Sequence, residues 1–391
     1  MTHRNLLCLG LGLAVCQAHA VSFRLPNQDP EAIARGNAFV ATASNPSAIY
    51  YNPAGITQLE GQQLNVGAYF VSAHTEYTGP FGFTAKTDAQ FQPVPQIYYV
   101  LSPKDSAFSY GFGLYAPYGL GLDWGNTTAP LRFLGQKGKV LYASANPEVA
   151  WQITETLSIG AGPTINYSQA SFHQPLTPPL GEFNFKGDGA DFGFNAGLLW
   201  KPHPKLAFGI NYRHETEIEY DGHSEFTPLG RTDTKGSLPY PRFVVAGVSF
   251  RPTENWNFEF DIDWTDWDSV NSVQFVGATF PATLVFNHRS SFMYEFGITR
   301  QLPNGYFVSG GYFYSENSVP DATFNPLIPD SNLHLGSVGL GHKGESWDWA
   351  IAYHFATNGE GRTVTGSPLG LADGRYETLN HGVNVSAVFK F

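Results

Sequence analysis

"GVNVSAVFKF", residues 382–391, alternates between apolar and polar side chains up to its last residue. Val383, Val385, Ala387, Phe389 and Phe391 fall on one side of an extended chain, and Asn384, Ser386 and Lys390 on the other. Successive side chains of a strand point to opposite faces, so this segment reads as a strand with one apolar face. The pattern recurs upstream. Phe258, Phe260, Ile262 and Trp264 alternate with Glu259, Asp261 and Asp263, and Trp347, Trp349, Ile351, Tyr353 and Phe355 alternate with Asp348 and His354. A soluble sandwich with its apolar face turned inward gives the same pattern, so alternation alone leaves two fold classes open.

The connections separate them. Short polar breaks stand at 102–106, 154–156, 201–205, 251–255, 302–305 and 343–346. Between them lie longer stretches rich in Pro, Gly and Thr, at 77–91, 119–138, 173–189, 222–239, 277–288, 317–333 and 358–377. Six short turns and seven long loops, in strict alternation, join 14 strands. Tight turns at one end and long loops at the other characterise outer-membrane barrels, whose single-chain forms have even strand numbers. Hydrocarbon offers no partner to a free backbone N–H or C=O, so a spanning sheet must close on itself. Strands of roughly 10 residues suffice to cross, and Tyr, Trp and Phe near strand ends suit the two interfaces. The predicted fold is all-β: a 14-stranded antiparallel transmembrane β-barrel with an N-terminal hatch plugging the lumen.

Composition agrees. The 391 residues include 42 Gly, 31 Phe, 20 Tyr and 8 Trp, with 14% charged residues, against about 25% in ordinary soluble domains. Mean hydropathy is −0.19, and no apolar run approaches the roughly 20 residues of a spanning helix. The longest, Leu6–Val15, follows His3 and Arg4 and precedes Ala18-His19-Ala20, the three parts of a secretory signal cleaved before Val21. A lipoprotein signal ending at Cys16 fits less well, because bulky Val15 stands where a small residue is wanted. Cleavage removes Cys8 and Cys16, which leaves no thiol for catalysis, metal binding or disulfides. Loss of Arg4 takes the net charge from −11 to −12. No basic cluster is present to grip nucleic acid. Expected boundaries are 1–20 signal peptide, 21–61 hatch and 62–391 barrel.

The hatch is inferred from what residues 21–61 lack. They carry Pro26, Pro30, Pro46 and Pro53 and no sustained alternation, and about 40 residues do not make an independent domain. A barrel of this size otherwise encloses an open channel. Within the segment, "IYYNPAGITQLEG" (49–61) places a stiff Asn52-Pro53-Ala54 turn just ahead of the first strand.

Several constellations do not carry chemistry. Gly339-x-Gly341-x-x-Gly344 lies on a strand with no helix after it. Glu259, Asp261 and Asp263 point to the lumen by alternation and read as a solvated acidic face, with no calcium-loop glycine. Arg213, Glu215, Glu217 and Glu219 read as lumen or rim charge. No H-E-x-x-H or G-x-S-x-G occurs. We expect no enzyme activity, cofactor or metal; an outer-membrane phospholipase on a similar barrel, which has no need of a hatch, is the alternative of a different class.

The leading segment "FRLPNQDPEAIARGNAFVATASNPSAIYYNPAGI" resembles the hatch of FadL-type outer-membrane transporters, the family of long-chain fatty acid and hydrocarbon channels. Asn52-Pro53-Ala54 matches its Asn-Pro-Ala signature, and "ARGNAF" its Gly-Arg-Ala element, with Arg35 before Gly36. "YAPYGLGLDW" (115–124), "NPEVAWQITETLSIGAG" (146–162), "DIDWTDWDSV" (261–270) and "SVPDATFNPLIPDSN" (318–332) extend the resemblance over the mature chain. It implies passive uptake of long-chain fatty acids or aromatic and alkane hydrocarbons, with sideways release where the third strand kinks inward. In this chain the third strand, Ala107–Tyr118, contains Gly111, Gly113 and Pro117; glycine permits a bulge and proline removes a ladder hydrogen bond, and the kink is expected near Gly111–Gly113. Asn52, Pro53 and Ala54 are expected to gate the pore by holding the hatch against that strand. Phe23 and Leu25 resemble the family's pocket-reaching pair. Leu131, Phe133, Leu134, Leu176 and Leu180 lie on loops that occupy the family's groove positions, with Arg213 or Lys139 as candidates for a carboxylate head group. Implied partners are hydrophobic ligands, outer-membrane lipid and lipopolysaccharide, and the barrel-assembly machinery, with the chain a monomer in the outer membrane.

Overall fold

The computed structural model describes residues 22–391 except 89, 178–179 and 280–282, with the backbone alone at 90–92. The expected signal peptide, both cysteines and Val21 lie outside the described residues. Fourteen antiparallel strands close into a barrel. They are β1 Gly61–Thr78, β2 Gln90–Ser102, β3 Phe108–Tyr115 resuming at Gly119–Asp123, β4 Lys137–Thr154, β5 Leu157–Pro175 and β6 Glu182–His203. Then come β7 Leu206–Arg213 resuming at Thr216–Phe226, β8 Gly230–Tyr240 resuming at Phe243–Thr253, β9 Trp256–Thr265, β10 Ser291–Gln301 and β11 Tyr306–Ser315. The last are β12 Leu333–Lys343, β13 Trp347–Thr357 and β14 Gly374–Lys390. β14 pairs with β1 from Lys390↔Gln63 to Arg375↔Thr78, which closes the ring.

The alternation read from the sequence is the wall itself. On β9, Phe260 and Ile262 are exposed on the outer face while Glu259, Asp261 and Asp263 are buried inside. Phe112, Trp151, Phe194, Ile210, Phe296, Ile351 and Phe389 continue the outer apolar belt. Among the described residues no helix is long and apolar enough to cross a membrane, so the crossing is made by strands. The long loops carry more strand than expected: 222–239 is almost wholly a hairpin, with Phe226 paired to Gly230.

The β2–β3 ladder is incomplete. β3 pairs with β2 only from Tyr110↔Leu101 to Leu114↔Ile97. After Tyr115 the chain turns inward through Ala116-Pro117-Tyr118, and Gly119–Asp123 pairs with β4 alone. Gly111 and Gly113 sit in the regular ladder, opposite Val100 and Tyr98 on one side and Glu148 and Asn146 on the other. The expected kink at those glycines is therefore corrected: the break lies at Pro117, which has no N–H to give a ladder.

Candidate functional site

Residues 22–59 fill the lumen. Their only regular structure is two single turns, α1 Pro30–Ile33 and α2 Ala48–Tyr51, and a 3₁₀ turn over Pro53–Gln58. Asp29 caps α1 by accepting from Glu31 N at 2.9 Å, and left-handed Gly36 and Asn37 end it. A Cβ on Gly36 would lie 2.6 Å from the backbone N of Tyr312 on β11, so only glycine fits there.

The acids of β9 hold this segment, which corrects their reading as a solvated face. Arg24 pairs with Asp263 at 2.7 Å and Arg35 with Glu259 at 2.6 Å, all four side chains being buried. Asp261 accepts from the backbone N–H of Phe39 at 2.8 Å and Val40 at 2.9 Å. Glu259 accepts from Ala41 N at 2.7 Å, from Thr42 N at 3.1 Å and from the Thr42 hydroxyl. A hatch without internal ladders leaves many backbone donors unpaired, and in a water-poor lumen the wall must satisfy them.

Asn52 plays a similar part from the hatch side. Its Nδ2 donates to Val40 O at 2.8 Å and to Leu198 O of β6 at 3.0 Å, while its Oδ1 accepts from Ala54 N at 3.2 Å. The Asn52-Pro53-Ala54 turn is thus tied to β6 at Leu198 and packed on β5 at Gly160. Asn195 and Asn211 donate in turn to Ile49 O and Tyr50 O, each at 3.0 Å.

Glycines of the wall make room for the hatch. A Cβ would come within 2.1 Å of Val40 O at Gly209, 2.0 Å of Arg35 C at Gly311, and 2.5 Å of Pro53 C at Gly160. At Gly111 and Gly113 it would meet Ile49 at 2.9 Å. Those two glycines seat the hatch, a role that no periodicity in the sequence marks.

Outward of the hatch lies an apolar cavity with about 690 Å³ of empty space, including its open mouth. Phe23 lines it together with Leu120, Val140, Phe172, Phe185, Leu238, Phe275, Phe286, Leu327 and Ile328. Phe23 also packs on Trp267 at 4.8 Å and on Tyr118, in the inward turn, at 6.2 Å between ring centroids. The break beside Gly119–Asp123 is covered from inside by the start of the hatch. Leu25 N donates to Pro117 O at 2.8 Å, and Gly119 N to Phe23 O at 2.9 Å. One segment therefore touches both the cavity and the opening in the wall.

The other expected contacts are dispersed. Leu25 is buried with Ile33, Tyr69 and Val94, away from the cavity lining. Leu131 is fully buried, Leu134 and Leu176 pack against the same apolar cluster, Phe133 carries Arg132 at 4.8 Å, and Leu180 is exposed. None of these lines the cavity. Arg213 is buried among Tyr50, Tyr115 and Phe243 and is not part of the lining either. Lys139 belongs to the lining but is exposed, between buried Gly138 and Val140. The true lining comes from positions on six strands, β3 to β8, and two loops, which only the register brings together. His288, in the loop after β9, is buried beside Phe286 and Trp267. Burial, reinforced by the Arg362 guanidinium, pushes its imidazole down to about 3.

A closed barrel with a sequestered hatch, an apolar cavity and an interrupted wall defines an outer-membrane channel of the plugged type. The chain belongs to the family of outer membrane transport proteins (OMPP1/FadL/TodX), whose model matches residues 11–391. It is a transport protein of the outer membrane and not an enzyme. A long-chain fatty acid transport protein of Escherichia coli O6:H1 is 23% identical over 390 residues, covering 86% of each chain. A FadL homologue of Pseudomonas aeruginosa shares the fold with a TM-score of 0.82 at 16% identity, covering 95% of this chain and all of that one. The toluene transporter TodX of Pseudomonas putida shares it with a TM-score of 0.76 at 17% identity, over 95% of this chain and all of that one.

Proposed function

We propose that this protein takes up hydrophobic compounds down their gradient, long-chain fatty acids foremost. Ligand enters the apolar cavity, displaces the start of the hatch, and leaves sideways between β2 and β3 into the membrane. The observation that carries this reading is Phe23, which lines the cavity and abuts the inward turn at Tyr118. Binding there and opening of the wall are thereby one event. An apolar cavity suits such a ligand because transfer from water is worth about 25 cal/mol per Å² of apolar surface. Asn52, Pro53 and Ala54 act as the hinge on which the hatch is held to β5 and β6. Residues 1–20 are a cleaved signal peptide, residues 21–61 the hatch and 62–391 the barrel. The chain is assembled as a monomer by the barrel-assembly machinery into a bilayer faced by lipopolysaccharide.

A second reading, uptake of aromatic or alkane hydrocarbons, is favoured by the lining. Among the described residues it includes no acid or arginine, and its one charged member, Lys139, is exposed. Radiolabelled oleate and toluene, offered to cells that lack their own transporter and express this chain, separate the two. Oleate uptake that falls in Phe23→Ser and Asn52→Ala at equal surface expression supports the first reading. Toluene uptake alone supports the second, and uptake of neither refutes both.

A further inference from the structure

Four tripeptides of one pattern stand in the loops at the outer end: Pro80-Phe81-Gly82, Pro179-Leu180-Gly181, Pro228-Leu229-Gly230 and Pro368-Leu369-Gly370. Their middle side chains are 101%, 47%, 66% and 92% exposed. A fifth, Pro117-Tyr118-Gly119, is the inward turn of β3, where Tyr118 is 3% exposed, so the pattern does not by itself dictate an outward residue. None of the four middle side chains lines the cavity or belongs to the hatch.

Two of these tips hold their side chain in a conformation that a bulky residue avoids. Phe81 has φ 62° and Leu369 φ 57°; the other described left-handed residues besides glycine are Ser22, Ala43 and asparagines. Glycine or asparagine would occupy such a turn with less strain and would expose no apolar surface. The tips are also stiffly built. Asp373 accepts from Ser367 N at 2.8 Å and Ser367 Oγ at 2.7 Å below Leu369, and Leu229 caps the Phe226–Gly230 hairpin.

The tips form two pairs. Phe81 and Leu369 share the β14–β1 seam, where Tyr77 Oη donates to Asp373 O at 2.8 Å. Leu180 and Leu229 are joined through Thr227 N, which donates to Glu182 O at 3.0 Å beside Gly181. The seams lie half a turn apart on a barrel whose 14 strands, spaced about 4.8 Å and tilted about 40°, give a width of about 25–30 Å. The membrane's own hydrocarbon does not cover the tips, because exposed ion pairs stand beneath them. Glu76–Lys86 and Arg375–Glu377, each at 2.6 Å, flank the first pair, and Asp221–Lys235 at 3.7 Å lies below the second. The pairs stand on opposite sides of that mouth, so one small ligand does not touch both.

We infer that the four tips dock the protein onto the surface of an apolar droplet or aggregate of water-insoluble solute, which rests across the barrel mouth. This rests on the uptake reading above and adds the physical form in which the cargo is met. A body wider than the mouth contacts both pairs at once, and each tip adds its own apolar burial, so docking is multivalent.

The test uses the full chain in lipid nanodiscs, floated with emulsified hexadecane droplets. The wild type rises with the droplets. Phe81→Ser/Leu180→Ser/Leu229→Ser/Leu369→Ser loses about ten-fold or more in droplet affinity, the change expected when one or two apolar side chains cease to be buried. Phe81→Leu/Leu369→Phe retains it, and heat-modifiable migration shows that all variants are folded. In cells, oleate dissolved in hexadecane enters the quadruple variant about ten-fold more slowly, while albumin-carried oleate enters as in wild type. A quadruple variant that floats like the wild type, or loses both modes of oleate entry equally, overturns the inference. Wild-type cells that take up oleate from neither source count against the uptake reading, and flotation still decides the role of the tips.

Discussion

Glu259→Gln is the most informative single change, because one carboxylate serves four hatch donors. Its Oε2 faces Arg35 Nη2 at 2.6 Å and the Thr42 hydroxyl; its Oε1 takes Ala41 N and Thr42 N. The amide keeps the side-chain volume but turns two donors toward Arg35, itself buried. Removing one partner of a buried ion pair costs about 3–5 kcal/mol. At about 1.4 kcal/mol per factor of ten, the displaced hatch rises in population by between a hundred- and a few thousand-fold. The cost falls on the hatch, since the β8–β9 and β9–β10 ladders are unchanged. Hydrogen exchange followed by mass spectrometry, on protein in nanodiscs, reads this directly. Peptides spanning residues 36–44 are expected to lose about a hundred-fold or more in protection, while those of β9 and β10 keep theirs. A change below about three-fold in 36–44, or equal loss in the barrel, refutes the claim that β9 is the hatch's anchor.

Other changes probe the remaining parts. Gly311→Val and Gly209→Val put a branched side chain where even a Cβ lies 2.0 and 2.1 Å from hatch backbone; both are expected to unseat the hatch in a folded barrel and to raise conductance in planar bilayers. Gly236→Phe, whose Cβ has Phe185 and Phe275 as its nearest neighbours at 3.7 Å, fills the cavity from its wall, and hydrophobic uptake should fall by about ten-fold or more with no loss of barrel stability. His288 is pushed down to about 3, against an ordinary 6.5. The released loop therefore takes up a proton that the packed loop refuses. Packing is at full strength above pH 6.5 and weakens as the pH falls from there toward 3. Proteolysis of residues 266–290 should accelerate between pH 7 and 5, and His288→Leu should abolish that difference.

What was legible in the sequence was whatever repeats at short range. Alternation and loop lengths gave the strands and their number because each strand alone must present one face to lipid. The hatch was legible as the stretch without alternation. Long-range partners were not. Glu259, Asp261 and Asp263 point inward as alternation requires, yet nothing in their spacing says that Arg24, Arg35 and the Phe39–Thr42 backbone lie opposite. Gly111 and Gly113 suggested a flexible strand because glycine both relaxes a strand and admits a neighbour, and sequence does not distinguish these uses. Pro117, six residues beyond Gly111, carried the stronger signal: a residue without an N–H ends a ladder, whereas glycine only loosens it. Apart from Phe23, the cavity lining was missed because Leu120, Phe172, Phe275 and Leu327 are far apart in the chain and meet only through register and loop packing.

The central claim is that cargo leaves through the side of the barrel and not along its axis. Photo-crosslinking of a diazirine-bearing fatty acid to the wild-type protein in outer membranes, with adducts mapped by mass spectrometry, tests it most directly. Adducts on Phe23, Leu120 and Leu327, and on the Tyr118–Leu122 segment at the break, are predicted. The polar lumen beneath the hatch, lined by Thr42, Arg251, Asn257 and Thr299, should remain unlabelled. Labelling of those four residues without labelling of Tyr118–Leu122 would contradict lateral exit and put the route along the barrel axis.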